Sequence, residues 1–195
     1  MDETEVENVR NMKLGDEEAF SWLFRRYQTK AFRAAWLITG NFDDSEDIVQ
    51  ETFIKCYTSR KKLKEERAFE GWLFQILTRT AWHHMKKKGR ERPEEQLFGE
   101  DLRDCRSNPL DKTVEKEGRE KLYQAIRNLD MKQRTAVVLY YFNSFSTKEI
   151  ADAMGCLEGT VKSRLYTARK NLKTALEKQE SIEQRQEGRY EERTI

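Results

Sequence analysis

Proline is nearly missing from this 195-residue chain: there are two, Pro93 and Pro109, and both fall in one stretch. Everywhere else helical hydrogen bonding can run uninterrupted. Alternating runs of β-branched and polar residues are scarce as well, which removes the usual sign of half-buried strands. The fold class left is all-α. The cysteines are three, Cys56, Cys105 and Cys156, an odd count without a C-x-x-C or Cys/His zinc spacing, so neither a disulfide framework nor a metal site is expected. No apolar run approaches the ~20 residues that cross a bilayer. The acidic N-terminus has no charged-then-apolar signal pattern. The expectation is a cytoplasmic chain without membrane insertion.

Catalytic signatures are missing too. No serine, cysteine or lysine sits in a recognisable nucleophile motif, and there is no glycine-rich phosphate loop. His83 and His84 are sequence neighbours, which diverge by about 100° on a helix and cannot chelate one ion together. No enzymatic activity, cofactor or metal is expected. An excess of charge of one sign is also lacking: 37 Lys and Arg face 35 Asp and Glu, a net +2. Near-neutrality of this kind hides a patchwork of basic and acidic segments, each suited to its own partner.

What is present is most telling near the C-terminus. Ser146 and Glu149 form an S-x-x-E capping box that starts a short helix burying Ile150, Ala151 and Met154. Gly155 ends it. Beyond the turn, Val161, Leu165, Ala168 and Leu172 recur at spacings of four, three and four, the buried stripe of a second helix. Gly159, Ser163, Tyr166 and Lys170 then point away from that stripe. Thr160, Lys162 and Thr167 flank them, and Arg164 and Arg169 stand at the borders. Small, hydroxyl and cationic side chains on one helix face suit a DNA major groove. A solvated basic face on a plain helical hairpin would share the charge but would not need the capped first helix and the glycine turn.

The N-terminal block reads as four helices. Phe20, Leu23, Phe24 and Tyr27 make an i, i+3, i+4, i+7 face over residues 16–28, and Phe32, Ala35 and Trp36 continue the pattern up to Gly40. A third helix, DDSEDIVQETFIKCY, starts with acids at its positive dipole end. Its inward face is Ile48, Val49, Thr52, Phe53 and Cys56, which leaves Asp44, Asp47, Gln50, Glu51 and Lys55 as a polar, acidic surface fit for a basic partner. The fourth helix, from Phe69, carries Trp72, Leu73, Ile76, Leu77 and Trp82 and ends in Lys86, Lys87, Lys88 and Arg90, a cationic end fit for a nucleic-acid backbone. Both prolines lie in residues 89–118, which carry nine acids against six bases, a net −3. So long an unstructured connection favours two small domains, 1–90 and 119–178, joined by a flexible linker over 91–118, with a polar tail at 179–195.

These segments together resemble the extracytoplasmic-function group of bacterial RNA polymerase sigma factors. The likeness rests on GDEEAFSWLFRRY, DDSEDIVQETFIKCY and FEGWLFQI, and above all on LDMKQRTAVVLYYFNSFSTKEIADAMGCLEGTVKSRLYTARKNL, and it covers nearly the whole chain. The resemblance implies a sigma factor that binds core RNA polymerase and directs it to promoter DNA. It implies docking of the third helix on the clamp helices of the largest catalytic subunit, through Asp44, Asp47, Gln50, Glu51 and Phe53. It implies minus-ten reading by the fourth helix and residues 63–70, with Arg79, Thr80, His83, Lys86, Lys87 and Lys88, and capture of a flipped base. It implies minus-thirty-five reading by Gly159, Thr160, Lys162, Ser163, Arg164, Tyr166, Arg169 and Lys170, a linker that threads toward the polymerase channel, and a sequestering anti-sigma factor. The chain departs from the family where Arg79 and His83 replace an Asn and an Asp. An amide that pairs with a base is thereby exchanged for a cation that pairs with phosphate. Glu158, another departure, is chemically able to accept from a cytosine amino group.

Two other readings remain open on the residues alone. A conventional regulator would use the same helix-turn-helix as a dimer on a palindrome, with the N-terminal block as its dimer or ligand domain. A redox sensor would use the three cysteines, none of which lies close to another in sequence.

Overall fold

The computed structural model describes residues 1–91 and 113–191. Among them are eight α-helices and no strand: α1 (Glu3–Leu14), α2 (Glu17–Thr39), α3 (Phe42–Thr58), α4 (Phe69–Glu91), α5 (Thr113–Arg127), α6 (Met131–Val137), α7 (Thr147–Met154) and α8 (Glu158–Glu191). Five of them begin at a residue whose side chain accepts an amide hydrogen bond from the first turn: Asp2, Asp16, Asn41, Asp130 and Ser146. These caps satisfy donors that helix geometry leaves orphaned. Gly40 at φ 76° closes α2 and Gly155 at φ 61° closes α7, both in the left-handed region that strains any residue with a Cβ.

The N-terminal unit is α1 to α4. The two short helices expected between residues 16 and 40 are one helix of 23 residues, α2, because no breaker separates them. Its long buried side, from Ala19 through Leu23, Tyr27, Ala31 and Ala34 to Ile38, lies within the core that also takes in α1, α3 and α4. Helix α1 was not anticipated. Val6, Val9 and Met12 are its only buried apolar residues, too narrow a stripe to stand out in a polar segment. It is anchored by polar chemistry instead: the Tyr27 hydroxyl donates to the buried carboxylate of Glu5, and Arg26 Nε lies 3.7 Å from the other oxygen of that carboxylate. Burial, then the Glu5 contact, push the Tyr27 phenol well above its ordinary pKa.

The C-terminal unit is α5 to α8, with a π-helical turn at Val138–Phe142 that leads into Ser144 at φ 60°. Of the expected linker, residues 92–112 lie outside the described residues, and residues 113–118 already form the start of α5. Residues 179–191 of the expected polar tail continue α8, whose 34 residues span roughly 51 Å at 1.5 Å per residue, and residues 192–195 lie outside the described residues.

The two helical units meet along a seam rather than standing apart. Phe74 of α4 packs edge-on to Phe145, centroids 5.2 Å apart, and Lys30 Nζ sits 5.8 Å and 5.7 Å from the two rings. Trp82 Nε1 donates to Thr135 Oγ1 at 3.0 Å, and Gln75 Nε2 donates to the Asp152 carbonyl at 2.8 Å. At the far end of the seam Arg134, 9% exposed, donates to the Ile38 carbonyl at 2.8 Å, to Leu129 at 3.0 Å, and to Arg127. Ile38 belongs to the last turn of α2, where carbonyls are unpaired and the helix dipole is negative, so a guanidinium is well placed there. Burial and then the like charge of Arg127 lower the pKa of Arg134, with Asp130 opposing. Arg127 in turn lies 4.9 Å over Trp36, which meets Tyr123 edge-on at 5.7 Å.

Candidate nucleic-acid interface

The helix-turn-helix is built from its first residue. Ser146 Oγ donates to Glu149 Oε2 at 2.6 Å and accepts from Glu149 N at 3.3 Å, while Ser146 N donates to the same carboxylate at 2.8 Å. These contacts hold the Glu149 carboxyl below its ordinary pKa. Ile150, Ala151, Ala153 and Met154 are buried, and the chain turns at Gly155. Helix α8 then buries Val161, Leu165 and Ala168. Gly159, Ser163, Tyr166 and Lys170 are left exposed, Tyr166 at 71%, with Lys162, Thr167 and Arg169 beside them. Thr160 is half-buried at the helix start. Arg164 is half-buried and turned back to the turn, its Nη1 3.4 Å from Cys156 Sγ. Glu158 is engaged: its Oε1 takes a hydrogen bond from Thr147 Oγ1 at 2.7 Å and lies 2.9 Å from Lys162 Nζ. Lys162, then Thr147, hold that carboxyl below its ordinary pKa, so the oxygen expected to meet a cytosine already has partners.

In α4, Arg79, His83, Lys86 and Lys87 are exposed at spacings of four, three and one, an outward cationic stripe. Two of the residues expected beside them are elsewhere. Thr80 is 1% exposed and accepts a hydrogen bond from Lys55 Nζ at 3.2 Å, because one step along the helix turns it by about 100° toward α3. Lys88, two turns further on, is pinned to Asp44 at 2.6 Å. Ahead of α4, 3₁₀ turns at Arg60–Lys62 and Glu66–Ala68 flank a buried Leu63 and an exposed Lys64, and Arg67 is exposed as well. Helix α1 braces this loop: Lys13 Nζ meets Glu66 at 2.7 Å and Arg67 meets Glu3 at 2.5 Å. That bracing escaped the sequence reading because it joins residues more than fifty apart.

In α3, Asp47 and Gln50 are exposed. Asp44 and Glu51 are half-buried and tied to α4 and to their own helix: Glu51 lies 2.8 Å from His84 Nε2 and 2.6 Å from Lys55 Nζ. Phe53 does not belong to the docking face. It is 3% exposed and packs edge-on to Phe24 at 4.8 Å and to Phe20 at 6.3 Å, as its place on the inward stripe required. Ile54, 56% exposed, stands on the outer face instead. Its spacing from Asp47 and Gln50, seven and four, was the signal that identifies it.

Cys56 is buried, and desolvation pushes its thiol up to about 12; Cys105 lies outside the described residues. Among the described residues no group of three His, Cys, Asp or Glu is placed to hold a metal ion, and no helix is long and apolar enough to cross a membrane.

Comparison with known proteins places names beside this geometry. Residues 23–91 match the family model "Sigma-70 region 2" and residues 119–172 match "Sigma-70, region 4". The ECF RNA polymerase sigma-E factor of Haemophilus influenzae is 34% identical over 180 residues, covering 87% of this chain and 93% of that protein. The RNA polymerase sigma-H factor of Pseudomonas aeruginosa is 31% identical over 183 residues, covering 90% and 95%. Among solved structures, the sigma factor RpoE of Bartonella quintana, crystallised in complex with the anti-sigma factor NepR, superposes with a TM-score of 0.67 at 26% identity, covering 81% of this chain and 96% of that one.

Proposed function

The chain belongs to the extracytoplasmic-function family of RNA polymerase sigma factors, and we propose which of its faces carries each part of that work. Residues 1–90 hold the polymerase and read the minus-ten element; residues 119–178 read the minus-thirty-five element. The docking face for the clamp helices of the largest subunit is the outer side of α3, with Asp47, Gln50 and Ile54 presented and Asp44 and Glu51 behind them. The minus-ten face is the α4 stripe of Arg79, His83, Lys86 and Lys87 with the loop at residues 63–70. The minus-thirty-five face is Gly159, Lys162, Ser163, Tyr166, Arg169 and Lys170 on α8, with Thr160 and Arg164 at its edge.

The observation that carries this reading is the division of α8: Val161, Leu165 and Ala168 are in the core while Gly159, Ser163, Tyr166 and Lys170 are left to solvent on the other side. Each face alone offers few contacts and modest specificity. Held on one polymerase, the second contact becomes intramolecular, so correctly spaced pairs of elements gain the effective concentration that lone elements do not. The chemistry of RNA synthesis is the polymerase's, and this chain contributes binding, in the cytoplasm. An anti-sigma factor that sequesters it is the further partner, by analogy with the Bartonella quintana complex. The dimeric regulator is set aside, since residues 23–91 match region 2.

The test is affinity for bacterial core polymerase together with run-off transcription from genomic DNA of the source organism. One-to-one binding with new, discrete start sites is expected. Asp47→Ala with Gln50→Ala is expected to lower polymerase affinity at least tenfold, the ~1.4 kcal/mol lost with two presented polar contacts, and to leave the melting temperature unchanged. Loss of both together would move these residues from docking to folding.

A further inference from the structure

We propose that Leu157 is a base-reading residue: an apolar side chain that meets the 5-methyl group of a thymine in the upstream promoter element, an inference that rests on α8 reading minus thirty-five. Leu157 occupies the cap position of α8. Its carbonyl accepts from Thr160 N at 2.9 Å and from Val161 N at 3.2 Å. Leucine is among the poorest residues for that position, since it offers no side-chain acceptor to the orphaned amides of the first turn. Five other helices in this chain use Asp, Asn or Ser there.

Glu158 in the first turn interacts favourably with the helix dipole, but Leu157 itself supplies no acceptor to the first-turn amides. Leu157 is 80% exposed, so it contributes nothing to the core. A local rule is broken without an internal gain, which is the pattern of a residue kept for an external contact. Its position identifies the contact. Residues at the start of a recognition helix are the ones that approach base edges, and Leu157 leads directly into the exposed Gly159 and Ser163. Gly159 would have no heavy atom within 4 Å of a Cβ, so that edge of the helix is open to an approaching surface. Glu158, the adjacent polar candidate, is taken up by Lys162 and Thr147.

Major-groove edges are polar except for one group, the thymine methyl, and apolar side chains read thymine through it. A leucine there favours thymine over cytosine and distinguishes thymine from uracil. Cationic side chains further along the face cannot make that distinction, and Leu157→Ser separates the leucine from the Thr160 methyl, which can. An isolated exposed leucine is common on protein surfaces, as Leu14 at 84% shows; the difference is that Leu14 is the last residue of α1, whereas Leu157 leads into the exposed face of a basic helix.

The test uses the full chain in complex with core polymerase, and promoters recovered by mapping its start sites. Each thymine of the upstream element is replaced singly by deoxyuridine, which removes the methyl group alone. At one position binding by the unaltered chain is expected to fall about fourfold, the equivalent of ~0.8 kcal/mol for one buried methyl-sized group. Leu157→Ser is expected to raise the melting temperature by improving the cap, to weaken the thymine promoter by a similar factor, and to be indifferent to deoxyuridine at that position. If Leu157→Ser and the unaltered chain respond alike to every deoxyuridine, Leu157 reads nothing. If Leu157→Ser loses transcription while DNA affinity and its deoxyuridine response stay unchanged, Leu157 touches protein and the proposal fails. If the unaltered chain is indifferent even to scrambling the whole upstream element, the reading of minus thirty-five by α8 falls, and Leu157 with it.

Discussion

Helices α3 and α4 in one unit and α7 and α8 in the other are both pairs that meet beneath a polar surface, but they use their charges differently. Between α3 and α4 the charges turn toward each other. Asp44 holds Lys88 and Glu51 holds Lys55 and His84. The side chains left to face outward are those one step round the helix, Asp47, Gln50 and Ile54 on one side and Arg79, His83, Lys86 and Lys87 on the other. Between α7 and α8 the joint is mostly apolar, with one hydrogen bond from Thr147 to Glu158 across it, and most polar residues in the first turns of α8 remain presented. Glu158, Lys162 and Arg164 are engaged near the turn, and further along Asn171 donates to Gln133 and Lys173 lies 3.7 Å from Glu177. Under the proposed assignment, the α3 side of the first pair meets a protein and is braced from within by ion pairs, while the outward cations of α4 and α8, which meet DNA, are mostly left unspent.

The strongest way to break this contrast is to remove Phe53. If it is core, Phe53→Ala costs about 3–5 kcal/mol of stability, measured by thermal or urea unfolding, whereas Asp47→Ala stays within about 0.5 kcal/mol. An unmoved unfolding midpoint in Phe53→Ala would return that ring to the docking face. A finer cut compares neighbours on α4. Arg79→Ala is expected to lower the slope of log affinity against log salt by about one for promoter DNA. Thr80→Ala should leave the slope alone and cost stability of about 1 kcal/mol through the lost bond to Lys55. Equal salt slopes for the two variants would dissolve the stripe.

The smallest effect concerns pH. Glu149 has its folded pKa depressed by Ser146, so its contribution is present above the ordinary glutamate range and is lost as pH falls through the depressed value. Glu149→Ala is therefore expected to melt slightly below the unaltered chain at neutral pH, by about 0.5 kcal/mol after solvent screening. The gap should close in acid. A gap that persists there would mean that side-chain packing, not the carboxylate, supports α7.

Helix α7 and the first turns of α8 were legible almost residue by residue, because S-x-x-E, a left-handed glycine and a four-three-four stripe are local signals that fix both ends and the buried side. The same arithmetic placed Ile48, Val49, Thr52, Phe53 and Cys56 inside. It failed where the answer depended on a second helix. Thr80 and Lys88 carry the right chemistry for DNA, and only the proximity of α3 turns them to Lys55 and Asp44. Helix α1 escaped because Glu5 and Tyr27 stabilise it through a polar contact across 22 residues. The seam was invisible for the same reason: Arg134 reads as a surface cation until the end of α2 is placed against it.

Arg134, Trp82, Gln75 and the Phe74–Phe145 pair make the joined arrangement a populated state with a free energy of its own, and thermodynamic linkage follows. A partner that engages the two units only when they are parted has its affinity scaled down by the fraction already parted, and one that clasps the joined form is scaled only by the fraction joined. Loosening the seam by ~1.4 kcal/mol would let the first kind of partner bind up to tenfold tighter without altering a single atom it touches.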